Sequence, residues 1–316
     1  MKQLTVIIVN YNVRYFIEQA IVSVKNACKS INYQIIVVDN ASQDDSVALI
    51  KEKFPEVTLI ENKENVGFGR ANNQAIKIAE SEYILLLNPD TVLQEDTITV
   101  CVDFMEKEQK CGAIGVKMID GKGKFLPESK RSLPTPFVAF SKMSGLSALF
   151  PKSEKFGKYH LGYLDKDKNH EVEVLSGAFM FFRAKLLKEI GGFDEDYFMY
   201  GEDIDLSYQV LKKGYKNYYL ATTSIIHYKG ESTKKGSLNY VKVFYEAMLI
   251  FAKKHFTPQQ AKLYSIAIYF AIFFKGFSSL FLSFIRKIAL PFFDFLFSYG
   301  ILNLLTHLWA AKVKEV

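Results

Sequence analysis

The sequence predicts an α/β protein, with a mostly parallel sheet flanked by helices and a helical C-terminal extension. Short apolar runs alternate with amphipathic stretches four times within the first 107 residues, the rhythm of strand–helix–strand crossover units. Each run ends in a polar tip rather than in a hairpin turn, so right-handed crossovers collect the four tips on one edge of the sheet. Beyond residue 238 the alternation stops and longer aromatic and apolar runs take over.

Residues 4–9 read as a strand ending in Asn10-Tyr11-Asn12, and residues 13–28 have helical spacing. A second strand, 34–38, ends in Asp39-Asn40-Ala41-Ser42 and is followed by a helix over 43–53. The third, 57–60, leads to Asn65-Val66-Gly67-Phe68-Gly69-Arg70 and a helix through Ala79. In the fourth, Tyr83-Ile84-Leu85-Leu86-Leu87 is apolar throughout, as in a central strand covered on both faces, and Pro89 takes the chain out of the sheet so that Asp90 stands at its carboxyl end. A helix is expected over 94–107. Residues 112–170 scatter Gly, Pro and Lys and read as loops with a short hairpin, forming a wall or a mobile flap. Strand character resumes over 171–182, then a short helix, 184–190, is stopped by Gly191-Gly192. An acidic and aromatic stretch, 193–206, places Glu202 and Asp203 at the start of a helix running to about Lys213. Late strands at 218–221 and 224–227 end in His227.

The formal net charge is +6, and all of it lies in the tail: from Lys253 onward eight Lys or Arg face two acids, while the rest of the chain is balanced. A main domain without a basic excess is not expected to bind nucleic acid, whereas a basic tail suits an anionic surface. Cys28, Cys101 and Cys111 have no metal-ligand spacing and point to a reducing compartment. The first strand begins at once, without the regions of a signal peptide, so a cytoplasmic domain is expected. A dinucleotide-binding dehydrogenase is the nearest fold-level competitor and a weak one, because the first strand-to-helix turn, Asn10-Tyr11-Asn12-Val13-Arg14, has no glycine.

A carboxylate at the carboxyl edge of an open α/β sheet is well placed to hold a hard divalent cation against a phosphate. Asn88 and Asp90 also read as ordinary turn formers. Glu202 and Asp203 suit the helix dipole, but an Asp among aromatic side chains is also partly desolvated and suited to take a proton from a hydroxyl. Asp205 reads as structural. His227, alone at a strand end, reads either as a satisfied core residue or as a ligand.

Taken in order, Val9-Asn10-Tyr11-Asn12, Val38-Asp39-Asn40-Ala41-Ser42, Asn65 to Asn73, Leu87-Asn88-Pro89-Asp90, and Gly191-Gly192-Phe193-Asp194-Glu195 with Gly201-Glu202-Asp203-Ile204-Asp205-Leu206 resemble a family 2 glycosyltransferase of the GT-A fold, in its bacterial rhamnosyltransferase-like and galactofuranosyltransferase-like branch. The resemblance covers about three quarters of the chain. It implies inverting transfer of a rhamnose-like or other hexose from a nucleotide-sugar donor to a hydroxyl of a glycan or lipid-linked acceptor, in cell-surface polysaccharide synthesis. Asn10, Tyr11, Asn12 and Asp39 would meet the nucleotide, with Gly67 and Asn72 along the nucleotide sugar. Asn88 and Asp90 stand where the family's DXD motif stands, with Asn88 a neutral departure, and Asp90 with His227 would hold Mn²⁺ or Mg²⁺. Asp203 would be the catalytic base, beside Glu202. Gln209 replaces an Arg that many relatives carry, so any ion pair made by that Arg is absent.

These readings give a glycosyltransferase domain over 1–238 and an apolar, basic tail over 239–316. Lys275-Gly276 interrupts the first apolar run of the tail, and Pro291 with Asp294 the second, so helices lying in a membrane interface are favoured over a span. A helical cap, an oligomer interface and a single tilted span are the alternatives. The expected location is the cytoplasmic face of the plasma membrane, peripheral or singly anchored. Competing functions are a polyprenyl-phosphate glycosyltransferase, a nucleotidyltransferase, which should have a Gly- and Lys-rich phosphate loop near the N-terminus, and a non-catalytic membrane scaffold, for which the neutral Asn88 speaks.

Overall fold

The computed structural model describes residues 2–197, 199–228 and 238–313. Strands and helices alternate as β1 (Lys2–Asn10), α1 (Arg14–Ala27), β2 (Tyr33–Asp39), α2 (Ser46–Lys53), β3 (Thr58–Glu61), α3 (Phe68–Ile78), β4 (Ser81–Leu87), β5 (Thr91–Leu93) and α4 (Thr97–Lys107). There follow β6 (Cys111–Ile119), α5 (Pro136–Met143), α6 (Leu146–Leu149), β7 (His170–Val172), β8 (Phe179–Arg183), α7 (Ala184–Ile190), α8 (Glu202–Lys212), β9 (Lys216–His227), α9 (Leu238–His255) and α10 (Pro258–Val313).

One sheet runs in the order β3-β2-β1-β4-β8-β6-β9-β5, with β7 paired to β9. Its first four strands are parallel, β8 is antiparallel to both β4 and β6, and β6 and β9 are parallel again. The apolar runs have a simple cause. In β4, Tyr83, Leu85 and Leu87 enter one core with α1 and α4, while Ile84 and Leu86 enter the other with α3, α7 and α8. β1 and β2 alternate in the same way, so a strand buried on both faces has no polar phase to show. All three cysteines are free and buried, and burial pushes the Cys28 and Cys111 thiols up to about 12.

The structure departs from expectation at several points. β6 lies in a region read as irregular. Gly112 and Gly115 dilute its strand signal, yet they are there for packing: a Cβ on Gly112 would stand 2.7 Å from both Leu186 and Val210. β5 is three residues long and hides in the turn after Asp90. The strand expected over 171–182 is two strands, β7 and β8, and the two expected late strands are one, β9. α2 starts three residues late because Asp44 Oδ1 accepts from Ser46 N and delays the helix. Residues 229–237, between β9 and α9, lie outside those described.

By packing, the chain divides into Met1–Ile266 and Ala267–Val316. α9 belongs to the first unit, where Ala247, Met248, Phe251 and Ala252 are buried. In α10 the helix continues through Gly276 and Pro291 rather than breaking there. Its segment Phe281–Val313 is 33 residues long, apolar enough to cross a membrane, and has none of its side chains buried.

Candidate active site

The parallel strands deliver their tips to one edge. At the first two, Asn10 Nδ2 donates to Asp39 Oδ1 (2.8 Å) and to Ser42 Oγ (3.0 Å), and Ser42 N donates to Asp39 Oδ2 (2.9 Å). Asn12 joins the same turn, accepting from Gln43 N at 2.7 Å. Asn12 and Ala41 both hold positive φ, 55° and 65°, a conformation that costs a non-glycine residue about 1 kcal/mol or more and is kept where neighbours enforce it. Asn10 Oδ1 is buried without a hydrogen-bond partner, an acceptor left for something outside the described residues.

At the third tip, Asn40 Nδ2 donates to Asn65 Oδ1 (2.8 Å), and Asn65 Oδ1 receives Gly67 N (3.0 Å). Gly67, at φ 90°, caps α3. Asn72 is buried and donates to Phe68 O at 2.9 Å within its own helix. Asn73 makes the long-range join: it donates to Phe193 O (2.8 Å) and accepts from Phe193 N (2.9 Å), locking the Gly191-Gly192-Phe193 turn onto α3.

At the fourth tip, Asn88 N donates to Ala178 O (3.0 Å). The register of β5 on β9 sets Thr91 opposite His227, which brings His227 Nε2 to 3.4 Å from Asp90 Oδ1. Asp90 is 3% exposed, and no hydrogen bond reaches Asp90 Oδ1 or His227 Nδ1. A buried carboxylate oxygen with only an imidazole beside it fits a divalent cation. Among the described residues no three His, Cys, Asp or Glu gather around a common point. Among the described residues the pair would supply two such ligands, as suits an ion that shares its shell with water and substrate phosphate.

Glu202 and Asp203 open α8 after two left-handed residues, Tyr200 and Gly201. Arg131 Nη2 donates to Asp203 Oδ2 at 2.5 Å, and Gly177 N donates to the same oxygen at 3.0 Å. Burial works against the Arg131 charge, but Asp203 outweighs it and holds the guanidinium charged beyond its ordinary range. Glu202 is buried with Oε2 unpartnered; burial first, and then the Asp203 charge, push its carboxyl up to about 8. Burial thus favours the protonated form of Glu202, while its neighbour Asp203 is the group that Arg131 pairs. Asp205 is tied down, 3.1 Å from Lys254 Nζ and 2.5 Å from His255 Nε2, which fixes α8 against α9.

A cavity of about 250 Å³ joins these parts: Tyr11, Asn88, Glu202, Asp203 and His227 all line it, with Ser176, Gly177 and Met199. Asn10, Asp39, Gly67 and Asp90 lie in the tips around it, while Asn12 and Asn72 are taken up by local hydrogen bonds. Sequence reasoning missed Arg131, in the segment read as irregular, and the role of the Ser176-Gly177-Ala178 turn. Only the conjunction of a basic pair, Lys130-Arg131, with an acidic pair marked them, and nothing in sequence spacing joins the two.

Known proteins resemble this chain in sequence and in fold. The family model described as glycosyl transferase family 2 matches residues 5–191. The N-acetylglucosaminyl-diphospho-decaprenol L-rhamnosyltransferase of Mycobacterium tuberculosis is 26% identical over 264 residues, covering 80% of this chain and 85% of that protein. The rhamnosyltransferase WbbL of Escherichia coli K12 is 27% identical over 208 residues, covering 62% and 73%. Among solved structures, the mannosyltransferase PcManGT of Pyrobaculum calidifontis, in complex with GDP-Man and Mn²⁺, superposes with a TM-score of 0.56 at 17% identity, covering 87% and 73%. TarS 1–349 of S. aureus with UDP gives 0.53 at 18% identity, covering 83% and 68%.

Proposed function

Because the chain belongs to glycosyl transferase family 2, in its rhamnosyltransferase-like branch, it is a glycosyltransferase, and we propose that it moves a rhamnose-like hexose with inversion from a nucleotide-sugar donor to a hydroxyl of a lipid-linked glycan. One observation carries the mechanism: a carboxylate held by an arginine, Asp203, and a buried carboxylate–imidazole pair, Asp90 with His227, meet at one cavity on the carboxyl edge of the sheet.

Arg131 and Gly177 occupy Asp203 Oδ2, which leaves Oδ1 to accept the proton of the attacking hydroxyl. The charge pair also fixes the direction from which that oxygen arrives, and attack from the side opposite the departing diphosphate inverts the anomeric carbon. Asp90 and His227 would hold a divalent cation, Mn²⁺ or Mg²⁺, which supplies charge to stabilise the leaving nucleoside diphosphate. Protonated Glu202 keeps a second negative charge away from the donor phosphates. The Asn10–Asp39–Ser42 network presents the nucleotide-facing edge, with Tyr11 and Asn88 along the cavity wall.

The named M. tuberculosis relative acts on a diphospho-decaprenol-linked sugar, and a polyprenyl-linked acceptor is the acceptor class we propose here. The tail beyond the catalytic part, assigned to residues 239–316, would then hold the enzyme at the cytoplasmic face of the plasma membrane, with the exposed apolar segment Phe281–Val313 as the anchor. The deciding experiment offers purified protein a panel of nucleotide sugars with Mn²⁺, Mg²⁺ or chelator. Turnover of one donor, lost in both Asp203→Asn and Asp90→Ala while nucleotide binding persists in the former, is expected. Absence of nucleotide binding under every metal condition would sink the reading.

A further inference from the structure

A second cavity lies outside the site described above. About 990 Å³ in volume, it is walled by the irregular segment between β6 and β7. Four lysines line it, Lys130, Lys142, Lys152 and Lys166, with His160 and a single carboxylate, Asp165. Lys142 Nζ lies 2.5 Å from His160 Nε2, so the imidazole serves as acceptor and adds no charge of its own.

Lys130 is the informative residue. It is 2% exposed, a burial rare for lysine, and its ammonium donates to the carbonyl oxygens of Leu161 (2.5 Å) and His160 (3.5 Å). Among the described residues neither Lys130 nor Lys152 has a carboxylate within ion-pair distance. Burial pushes the Lys130 amine down, and only the more distant Asp165 opposes this. A cation sunk at the floor of a cavity without a counter-charge is costly unless an anion visits it. Low-dielectric walls carrying one sign of charge also focus the field on whatever enters.

The cavity is joined to the base. Lys130 is extended, φ −140° and ψ 125°, so its side chain and that of Arg131 leave opposite faces of one strand-like segment. Arg131 holds Asp203 on one face while Lys130 floors the cleft on the other.

We propose that this basic cleft receives the phosphate or diphosphate group of the acceptor, while the acceptor's hydroxyl reaches Asp203 across the Arg131 segment. The inference rests on the glycosyl-transfer reading and adds where the charged group of such an acceptor is held. An acceptor bearing an anion beside its sugar is selected over the same sugar on a neutral carrier.

The test uses the full chain and two exposed positions, in Lys152→Glu/Lys166→Glu and, should the double charge reversal unfold the protein, Lys152→Gln/Lys166→Gln. Calorimetry with inorganic pyrophosphate is run on wild type, on the lysine variant and on Asp90→Ala. Initial rates compare a short-chain isoprenyl-diphosphate-linked N-acetylhexosamine with its neutral alkyl glycoside. The expected result is pyrophosphate binding weakened at least tenfold in the lysine variant but kept in Asp90→Ala. The KM for the charged acceptor should rise at least tenfold with kcat and donor KM unchanged, and the preference for the charged over the neutral acceptor should vanish. Equal pyrophosphate binding in wild type and the lysine variant overturns the proposal. So does binding lost only in Asp90→Ala, which assigns the anion to the donor side, and so does lost pyrophosphate binding with an unchanged acceptor KM, which marks a site for free phosphate. Nucleotide binding scores the transfer reading separately: its absence under every metal condition defeats that reading, while pyrophosphate calorimetry still scores the cleft.

Discussion

Arg131 and Asp203 form a nearly buried ion pair, 2.5 Å from Nη2 to Oδ2, with side chains 11% and 16% exposed. The two residues are 72 positions apart, and one comes from an irregular segment while the other opens a helix. The pair occupies Oδ2 of Asp203, together with Gly177 N, and so fixes how the carboxyl group is held. Asp203→Asn removes the proton acceptor but keeps the shape, and should lower kcat about 100- to 10,000-fold with donor KM little changed. Arg131→Ala leaves a carboxylate unpaired in a mostly dry site and should cost about 3 kcal/mol in a denaturant titration. Arg131→Lys, which keeps the charge without the fork, should fall between wild type and Arg131→Ala in both kcat and stability. Wild-type kcat in Asp203→Asn would remove this carboxylate from the chemistry.

The Glu202 carboxyl has a direction that sets two pH profiles. Its ordinary value is 4.5 and burial, then Asp203, hold it near 8 in the folded protein. Between those values the unfolded chain releases the proton while the folded chain keeps it, so this group's contribution to stability is intact at low pH and is lost as pH rises through 8. Glu202→Gln should therefore gain in Tm relative to wild type as pH goes from 5 to 8.5. Ionised Glu202 would also add a negative charge to the cavity proposed to take the donor, so wild-type kcat/KM should fall above about pH 8 and that alkaline limb should be absent from Glu202→Gln. A limb that survives the substitution belongs to another group.

Asn88 lines the cavity next to Pro89 and Asp90, one charge short of a paired carboxylate site. With Asp90 and His227 as the proposed ligands, much of the ion's affinity would come from the donor diphosphate. Asn88→Asp should tighten Mn²⁺ in the absence of nucleotide by about tenfold, by analogy with the gain of charge-assisted over neutral contacts, and His227→Ala should weaken it. Free Mn²⁺ followed by electron paramagnetic resonance reads both. No change in either would mean that Asn88 and His227 do not reach the ion.

Much of the fold was legible because strands buried on both faces advertise themselves. Residues 6–9, 35–38 and 83–87 are apolar throughout, and their polar tips named the edge where Asn10, Asp39 and Asp90 gather. β6 was hidden because Gly112 and Gly115 serve close packing and erase its pattern. The motif residues of the site, from Tyr11 to His227, could be read in order, whereas Arg131 could not. Its role depends on Asp203 and on an isolated bridge to Val174, both distant in sequence. Asn73 was legible only as part of a motif; its bonds to Phe193 show that the motif's second asparagine docks the Gly192 turn.

That dock makes Gly192 sensitive. Its φ is +78°, and a Cβ there would stand 2.3 Å from Asn73 Oδ1. Gly192→Ala combines left-handed strain of about 1–2 kcal/mol with displacement of a buried amide, worth about 1–3 kcal/mol. Thermal unfolding should show a loss of several degrees or more. Gly123, also left-handed at +78° but with nothing within 4 Å, is the control, and Gly123→Ala should cost only the backbone strain. Equal losses at the two positions would mean that the Asn73 contact contributes nothing.

The C-terminal helix sets two attractions against each other, and their sizes decide which dominates. Phe281–Val313 leaves Phe284, Leu290, Phe293, Phe297, Leu302 and Trp309 exposed, among others, and burying each such side chain is worth about 1.5–3 kcal/mol. Arg286 and Lys287 add only about 1 kcal/mol apiece on an anionic surface. The apolar term should therefore hold the protein on vesicles even when salt has screened the charges. Flotation with anionic and with neutral lipid vesicles should show the full chain bound in both, and still bound at 0.5 M salt. A chain ending at Ile266, where the first compact unit closes, should stay in the soluble fraction and keep its nucleotide affinity. Release of the full chain by salt, or its failure to float with neutral lipid, would give the leading role to the basic residues and reduce the helix to a surface contact.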